Sequence, residues 1–451
     1  MPIIRGLSVQ RLPQLATGAA ASILFSVLMT NALRIVSSMT LTRLLDSHAY
    51  GVVGVITSIA YMLAMLTDIG LLGFIVRHDE GDDPKFLDQV WTIRLVRGFA
   101  LSLLMVAVAK PGAALLGKPE LAPVVALWSI SFLLDGLSSL SFATAVRNKQ
   151  LWRLSTQELT CNVATLVVSI VTAVMWHTYW ALIAGMITGQ VVKVIMSYLL
   201  FPNMRRRFHI NPARSAELWR FSRFIAMSSV LSLLILQSDK LVLARLMPLS
   251  VYGLYAIAVT LAAAPGAIAA PYATRVLYPT YSKAMREAPE SLPWLFYHAR
   301  RKVAFLYMFG VGGLLGGAQL IVNILYDPRY HAVATYLQWI AISTSLRVCN
   351  NAANEVLIAT GKMRATFFAN CCRVAWLAIG GTIGLITGKI MLLVAIVGTV
   401  EIPGMLCYWA FLHQAKLLKL REEAYGLIVV AAGAGIGLLV STTMLNLFPS
   451  L

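Results

Sequence analysis

Charged residues are scarce in this chain, and acidic ones especially so. Only 12% of the 451 residues are charged and 19 are Asp or Glu, whereas soluble domains carry about 25% charged residues. The five cysteines and seven histidines are scattered, without the spacing of a disulfide framework or a metal site. The longest polar stretches, residues 201–221 and 282–302, are too short to fold alone. These absences exclude a soluble domain and predict neither a metal site nor a resident cofactor.

Apolar sequence, by contrast, is abundant, since 59% of the residues are hydrophobic. Runs of about twenty apolar residues recur along the whole chain, each long enough to cross a hydrocarbon layer as a helix. They lack the alternating polarity of membrane strands. The pattern predicts an all-α, polytopic integral membrane protein. We expect about thirteen helices, near residues 15–43, 50–76, 88–109, 113–145, 156–176, 178–201, 219–246, 251–279, 301–326, 331–360, 365–387, 389–413 and 425–447.

A ten-residue element occurs twice. The sequence TRLLDSHAYG at 42–51 returns as ARLMPLSVYG at 244–253, each copy following one long apolar segment and preceding another. The repeat predicts two pseudo-symmetric six-helix lobes. We place them at residues 1–201 and 219–413, with a basic linker at 202–218 and one or two extra helices in 414–451. The arginines of the motif, Arg43 and Arg245, lie at helix ends, where they are expected to anchor a turn.

The formal net charge of +18 does not indicate nucleic-acid binding, because the basic residues fall in alternate loops. Basic clusters occur near residues 147–153, 205–214, 283–302, 362–364 and 416–421, and the loops between them hold few. By the positive-inside rule these clusters and the amino terminus are cytoplasmic, and an odd helix count leaves the carboxyl terminus outside. Anionic lipids are the expected partners of the remaining charge.

The arrangement of these features resembles a known family. Six plus six helices, the motif L-x-R-L-L-D-x-x-x-Y-G at 41–51 and the segment R-x-K-x-x-x-R at 147–153 are similar to the polysaccharide-export branch (Wzx-type flippases) of the multidrug/oligosaccharidyl-lipid/polysaccharide superfamily. The resemblance implies a secondary transporter in the bacterial inner membrane. It would flip undecaprenyl-pyrophosphate-linked oligosaccharide for O-antigen, capsule or exopolysaccharide assembly, together with polymerase and chain-length proteins. Family members usually have twelve or fourteen helices, so a count of thirteen departs from the pattern.

Polar side chains at three- and four-residue spacing predict a polar cavity independently. Such spacing places them on one helix face, and a charge at the bilayer centre costs at least about 2.5–3.5 kcal/mol, so these faces should not meet lipid. The stripes are Asn31, Arg34, Ser38 and Thr42 on the first helix; Ser131, Asp135 and Ser138 on the fourth; Ser228, Ser232, Asp239 and Lys240 on the seventh; and Ser343, Arg347, Asn350, Asn351, Asn354 and Glu355 on the tenth.

The intramembrane cations allow two interpretations. Arg34, Arg347, Lys240, Arg373 and Lys193 would form a cationic lining that attracts pyrophosphate or acidic sugars, since guanidinium groups meet two phosphate oxygens at once. The structural alternative is that they pair with carboxylates and pin helices together. Both roles can coexist in a salt bridge that opens when phosphate competes for the arginine.

Carboxylates inside a membrane are also the usual carriers of ion coupling. The candidates for a coupling or gating role are Asp68, Asp135, Asp239, Glu355 and Glu401, of which we favour Asp239 and Glu355; the coupled ion would be H⁺ or Na⁺. Pro265, Pro271 and Pro403 interrupt helices, either to line a cavity or as packing kinks.

Two other functions remain open at this level. A polytopic glycosyltransferase or polymerase shares this composition, but external loops are short and no Ser-His-Asp order is present, so we predict that the chain is not an enzyme. An ion-coupled multidrug antiporter of the same superfamily is expected to have an acidic, aromatic cavity, which the arginines of the stripes contradict.

Overall fold

The computed structural model describes residues 29–68, 83–147, 150–201, 207–209 and 239–448, together with the single positions 70, 71, 74, 75, 78, 81, 233, 235 and 237. In these residues all regular secondary structure is helical. Several predicted features lie outside the described residues. These are most of the linker, the residues Ser228 and Ser232, and the first turns of the helices predicted at 15–43 and 219–246. The chain divides into two compact units, Met1–Val230 and Leu231–Leu451.

The N-terminal unit consists of eight described helices. They are α1 (29–44), α2 (Ser47–Leu66), α3 (Pro84–Leu115), α4 (Ala122–Trp128), α5 (Ile130–Leu137), α6 (Ser141–Arg147), α7 (Leu151–Trp176) and α8 (Trp180–Leu199). The aspartate of the repeated motif explains where α2 begins, because the Asp46 carboxylate accepts a hydrogen bond from the backbone N–H of Ala49. Asp83 caps α3 in the same way, and Pro84 occupies its first turn.

The single helix predicted at 113–145 is wrong, since the chain turns twice in this segment. Gly117 has a φ of +69°, a left-handed conformation that a glycine adopts without strain, and it ends α3 before a short 3₁₀ turn. The second break follows α5, where the Ser139 hydroxyl donates to the carbonyl of Ser197 at 2.6 Å and the Ser139 N–H donates to the hydroxyl of Ser197 at 3.0 Å. The second break therefore lies against α8, the helix that carries Ser197.

The C-terminal unit contains α9 (239–246), α10 (Leu249–Ala263), α11 (Gly266–Tyr272), α12 (Tyr278–Glu287), α13 (Leu292–Gly316), α14 (Ala318–Leu325), α15 (Val333–Ala359), α16 (Arg364–Thr387), α17 (Ile390–Gly398), α18 (Glu401–Gln414) and α19 (Leu420–Leu447). Three of the predicted helices are interrupted here. The interruption predicted at Pro265 is present, whereas Pro271 lies within α11 and Pro403 within α18. Residues 251–279 break at Pro265 and continue through a five-residue π-helical turn; 301–326 bend by 73° at Gly317; and 389–413 break just before Glu401.

Eight helical segments of the described residues are long and apolar enough to span a membrane, and the bent pair formed by Val303–Gly316 of α13 and by α14 would make nine. This number is below the predicted thirteen for identifiable reasons. The polar stripe of α15 lowers the mean hydropathy of that helix, and α10 has only 15 residues. The helices predicted at 15–43 and 219–246, of which α1 and α9 are parts, are described only in part. The protein is therefore a helical multi-pass membrane protein.

The last helix packs against α13 through glycines. A Cβ atom built on Gly312 or Gly316 of α13 would overlap the α19 backbone, and one on Gly433 or Gly437 of α19 would overlap the α13 backbone. Four-residue spacing of glycines puts them on one helix face and lets two backbones approach closely. The two helices are thus held by direct backbone contact.

A buried ion pair joins the same two helices near their ends. The Arg300 guanidinium pairs with the Glu423 carboxylate, both residues being 5% exposed, and lies 4.3 Å from the ring centre of Phe296. Tyr297 donates to Glu423 at 3.2 Å and accepts from the N–H of Lys419 at 2.8 Å. Burial, and next the neighbouring Glu423 carboxylate, raise the pKa of the Tyr297 phenol. The pair fixes the start of α19 on α13.

Candidate functional site

In the N-terminal unit two cations share one carboxylate. Asp135, in the last turn of α5, receives Nη2 of Arg94 (α3) at 2.9 Å and Nζ of Lys193 (α8) at 3.2 Å, both on Oδ1. The side chains of Asp135 and Lys193 are 43% and 42% exposed, and that of Arg94 is 18% exposed. This group of three carries one net positive charge, and it remains accessible.

A second arginine lies one helical turn further along α3. The three-residue spacing places Arg97 on the same face as Arg94. Its guanidinium donates from Nη2 to the carbonyl of Ala64 at 2.7 Å and from Nε to the hydroxyl of Thr67 at 3.2 Å. Asp68, which accepts from the N–H of Gly70 at 3.0 Å, lies within electrostatic range of Arg97. Arg97 therefore caps the carboxyl end of α2 and adds a positive charge near Arg94 and Asp135.

These side chains line two neighbouring cavities. The larger, of about 570 Å³, is lined by charged groups and by hydroxyl and amide groups, namely Asp68, Arg94, Arg97, Asp135, Ser138, Ser139, Ser141, Gln157, Glu158, Asn162, Lys193 and Ser197. The smaller, of about 270 Å³, also contacts Arg94, Arg97 and Asp135. The lining contains three cations and three carboxylates, and it also includes apolar side chains such as Leu71, Ile75 and Phe142. Cations that exchange a carboxylate partner for a ligand, beside hydroxyl and amide groups, are suited to a ligand that combines an anion with hydroxyl groups. We call the larger space the N-unit cavity.

In the C-terminal unit the polar centre is built around Glu401. Its Oε2 accepts from Nδ2 of Asn350 at 2.7 Å and from Nη2 and Nε of Arg373 at 2.8 and 3.1 Å. All three residues are buried. Arg373 also donates to Asn370 at 2.8 Å and lies over the ring of Tyr408. The donors of Arg373 are therefore used by Glu401, in agreement with the interpretation that this arginine pairs with a carboxylate and holds helices together.

Arg347 differs from Arg373 in its surroundings. Its Nε lies 3.7 Å from Oε1 of Glu401, outside hydrogen-bond distance, and 37% of its side chain is exposed. The neighbouring chain is the break between α10 and α11, since a Cβ on Gly266 would lie 3.9 Å from Nη1 of Arg347. The interrupted helix therefore leaves room for this guanidinium, and Arg347 retains donors that can bind an anion.

Two further polar residues of α15, Asn354 and Glu355, bond to each other and to neighbouring helices. Asn354 accepts at its Oδ1 from Thr366 at 2.6 Å and from Tyr408 at 3.2 Å, and its Nδ2 donates to Glu355 at 3.3 Å. Both Asn354 and Glu355 are partly buried. These contacts join α15 to α16 and α18 beside the Glu401 group.

Asp239 and Lys240 follow each other at the start of the described part of α9. Asp239 accepts from the hydroxyl of Tyr255 (α10) at 2.5 Å, and Lys240 lies within electrostatic range of both Asp239 and Arg347. The two predicted residues therefore belong to the same region as the Glu401 group.

The stripe of the first helix falls on α1. Arg34 is exposed in the N-terminal unit, while Asn31 and Ser38 are partly buried and hydrogen-bonded or otherwise engaged. Thr42 donates to the carbonyl of Ser38 at 2.7 Å, so the hydroxyl of Thr42 serves its own helix. The assignment of Asn31, Arg34 and Ser38 to substrate binding stays a prediction.

Sequence reasoning missed Arg94 and Arg97. A signal was present, because two arginines three residues apart within a 32-residue apolar helix meet the same criterion that selected Arg34. It also missed the Arg300–Glu423 pair, since both residues lie in segments assigned to basic loops and helix ends.

Known proteins match this chain in sequence and fold. The model of a polysaccharide biosynthesis protein family matches residues 40–335. A lipopolysaccharide biosynthesis protein of Escherichia coli K12, WzxC, is 23% identical over 85% of this chain and 79% of its own length. The succinoglycan biosynthesis transport protein ExoT of Rhizobium meliloti is 24% identical over 65% of this chain and 59% of its own length.

Among solved structures, the lipid II flippase MurJ in an inward closed conformation superposes with a TM-score of 0.72. The match covers 94% of this chain and 92% of that one at 11% identity, which establishes a shared fold. Because the family model spans about two thirds of the sequence, the protein belongs to the polysaccharide biosynthesis protein family.

Proposed function

We propose that this protein is a secondary transporter that flips an undecaprenyl-pyrophosphate-linked oligosaccharide from the cytoplasmic to the periplasmic leaflet of the bacterial inner membrane, for O-antigen, capsule or exopolysaccharide assembly. The observation that carries the proposal is the N-unit cavity, in which the accessible cations Arg94 and Lys193 stand beside hydroxyl and amide side chains. A pyrophosphate and a glycan require these two kinds of partner. The proposal includes a cytoplasmic amino terminus and contacts with anionic lipid and with the polymerase of the same pathway.

The strengths of the ion pairs indicate which cations meet the substrate. The Arg94–Asp135 pair keeps solvent access through Asp135, whose side chain is 43% exposed, so a phosphate can replace Asp135 at a smaller cost than in a fully buried pair. Separating a buried pair such as Arg373–Glu401 costs about 3–5 kcal/mol. Arg94 and Lys193 are therefore the cations of the N-terminal unit that can bind an anion and Arg347 is that of the C-terminal unit, whereas Arg373 holds Glu401 in place.

Competition between phosphate and carboxylate also supplies a switch. Asp135 joins α5 to α3 and α8 through its two cations. When phosphate takes those cations, the carboxylate releases them and the three helices lose one mutual restraint. A ligand that binds one arrangement of the helices better than another shifts the population toward it, which is the requirement for alternating access.

Transport in proteoliposomes tests the proposal. Undecaprenyl-pyrophosphate-oligosaccharide carrying a fluorophore is reconstituted with the protein, and a membrane-impermeant quencher reports the leaflet. Arg94→Ala, Lys193→Ala and Arg347→Ala each remove a charge-assisted hydrogen bond of about 1.5–3 kcal/mol, so each variant should lower the flipping rate roughly ten- to a hundredfold. Lys283→Ala, which removes a solvent-exposed cation, serves as the control and should flip at the wild-type rate.

The result that contradicts the cavity assignment is wild-type flipping by all three cavity variants at matched expression. Absence of flipping by the wild-type protein, with efflux of cationic drugs in its place, would instead support the multidrug antiporter. Glycosyl transfer by the purified protein would support the enzymatic alternative.

A further inference from the structure

One wall of the N-unit cavity is formed by α7, and it carries a carboxylate without a cation beside it. Glu158 lines the cavity and its side chain is exposed. Among the described residues this carboxylate forms no ion pair and no hydrogen bond. It lies within electrostatic range of the Cys161 thiol, as Lys193 also does. Glu158 therefore adds an unpaired negative charge to the cavity that holds Lys193.

The three cations of the described lining already have other partners. Arg94 and Lys193 share the carboxylate of Asp135. Arg97 donates from two of its nitrogens to groups at the end of α2. In this part of the structure no cation is left to neutralise Glu158, so its charge is available to a ligand.

A free amide stands one helical turn from this carboxylate. Four-residue spacing puts Asn162 on the same face of α7 as Glu158, and Asn162 lines the same cavity. Its side chain forms no hydrogen bond with any residue that the structure describes. The carboxylate accepts hydrogen bonds, and the amide both donates and accepts them. These groups suit the hydroxyls of a sugar ring or the ammonium of an amino sugar, and neither carries the positive charge that would hold an acidic sugar.

We propose that Glu158 and Asn162 form a sugar-recognising wall of the N-unit cavity, and that Glu158 restricts the sugar beside the pyrophosphate to neutral or amino sugars and excludes uronic acids. The inference rests on the proposed transport function, because it names the class of glycan that the same cavity accepts. The pyrophosphate is then the anion that Arg94 and Lys193 bind. The glycan meets hydroxyl, amide and carboxylate groups.

Binding of the pyrophosphate strengthens this selection. When the phosphates take Arg94 and Lys193, the carboxylate of Asp135 loses both partners. A uronic acid in the same space then meets two free carboxylates, those of Asp135 and Glu158, without a free cation in the described lining. Two like charges 4 Å apart change an equilibrium about fivefold even in water, and more in a less polar cavity. A neutral or amino sugar avoids this repulsion.

Binding to the purified protein in nanodiscs tests the selectivity without transport. The probes are three undecaprenyl-pyrophosphate disaccharides that differ only in the sugar beside the pyrophosphate, which is glucose, glucosamine or glucuronic acid. The wild type should bind the glucose and glucosamine lipids at least about fivefold more tightly than the glucuronic acid lipid. Added salt should reduce this ratio, because it screens accessible charges, whereas a purely steric selection would not respond.

Three variants assign the selectivity to the α7 wall. Glu158→Gln keeps the size of the exposed side chain and should lower the ratio at least about fivefold. Asn162→Asp places a second carboxylate one turn away and should raise the ratio. Glu120→Gln is the matched control, because it removes an exposed carboxylate of the same unit that lines neither of the two cavities, and it should leave the ratio unchanged.

Equal binding of the three lipids by the wild type, or the same ratio in the wild type and Glu158→Gln, would overturn the proposal. The flipping assay separates this proposal from the transport function on which it rests. Flipping of all three lipids at one rate would overturn the selectivity and leave the transport function standing. Absence of flipping together with the expected binding ratios would count against the transport function and support the sugar-recognising wall.

Discussion

Neutralising Glu401 should destabilise the C-terminal unit strongly. Glu401→Gln keeps the size of the side chain but removes the charge that Arg373 faces at 2.8 and 3.1 Å, and Arg373 is only 7% exposed. An uncompensated buried charge costs about 3–5 kcal/mol. The bond from Asn350 can persist, since an amide oxygen still accepts it, so the loss should lie at the lower end of this range.

The assay is unfolding of the purified protein in detergent, by denaturant or heat, with the free energy compared between variants. Glu287→Gln is the matched control, because its carboxylate is 64% exposed and pairs only with Lys283; it should change stability by less than about 0.5 kcal/mol. In a double-mutant cycle, Glu401→Gln combined with Arg373→Gln should cost less than the sum of the two single changes. A cost for Glu401→Gln below about 1 kcal/mol, or additive single changes, would refute the description of Glu401 and Arg373 as one buried pair.

Three further predictions concern other parts of the molecule. Gly316→Leu should separate α13 from α19 and destabilise the unit by at least about 1–3 kcal/mol, measured by the same unfolding assay, whereas Gly313→Ala, whose added Cβ would have no neighbouring atom within 4 Å, should have little effect. Glu423→Ala should cost about 3–5 kcal/mol through the buried Arg300, and proteolysis should then cleave near residues 416–420. The pKa of Tyr297 is raised in the folded protein, so the contribution of Tyr297 to the free energy of unfolding is complete below the pH at which an unfolded tyrosine ionises and falls as the pH rises beyond it. Tyr297→Phe should reduce that fall in a pH series of unfolding curves. An identical fall in both proteins would contradict the prediction.

Helix positions were predictable because apolar runs of membrane length are a strong local signal. The break at Pro265 was predictable from its proline, but the other breaks were not, since each depends on a local turn or a distant partner. Gly117 turns the chain by its own left-handed conformation, whereas the break after α5 is stabilised by Ser197, 58 residues further along. Hydropathy averages over such short interruptions and therefore merges the helices on either side.

The sequence could predict which types of residue form the candidate site, but it could predict only in part which of these residues pair with one another. Asp135, Arg373 and Glu401 were selected because a charge within an apolar helix needs a partner or water. The sequence could not assign Glu401 to Arg373 rather than to another cation, because the two residues lie 28 positions apart on different helices. Whether the exposed Arg34 binds substrate remains a prediction of the polar stripe.

The glycine contact and the ion pair between α13 and α19 have a consequence for biosynthesis. When the ribosome has completed residues 292–316, the glycine face of α13 and the Arg300 guanidinium do not yet have their packing partners. Residues 420–447, which supply them, are synthesised only after a further hundred residues. Until α19 is synthesised, the glycine backbone of α13 is exposed to lipid and the Arg300 cation near the membrane edge lacks its carboxylate partner. Arrival of the final helix supplies both missing partners in one step, so maturation of the C-terminal unit should end abruptly rather than gradually.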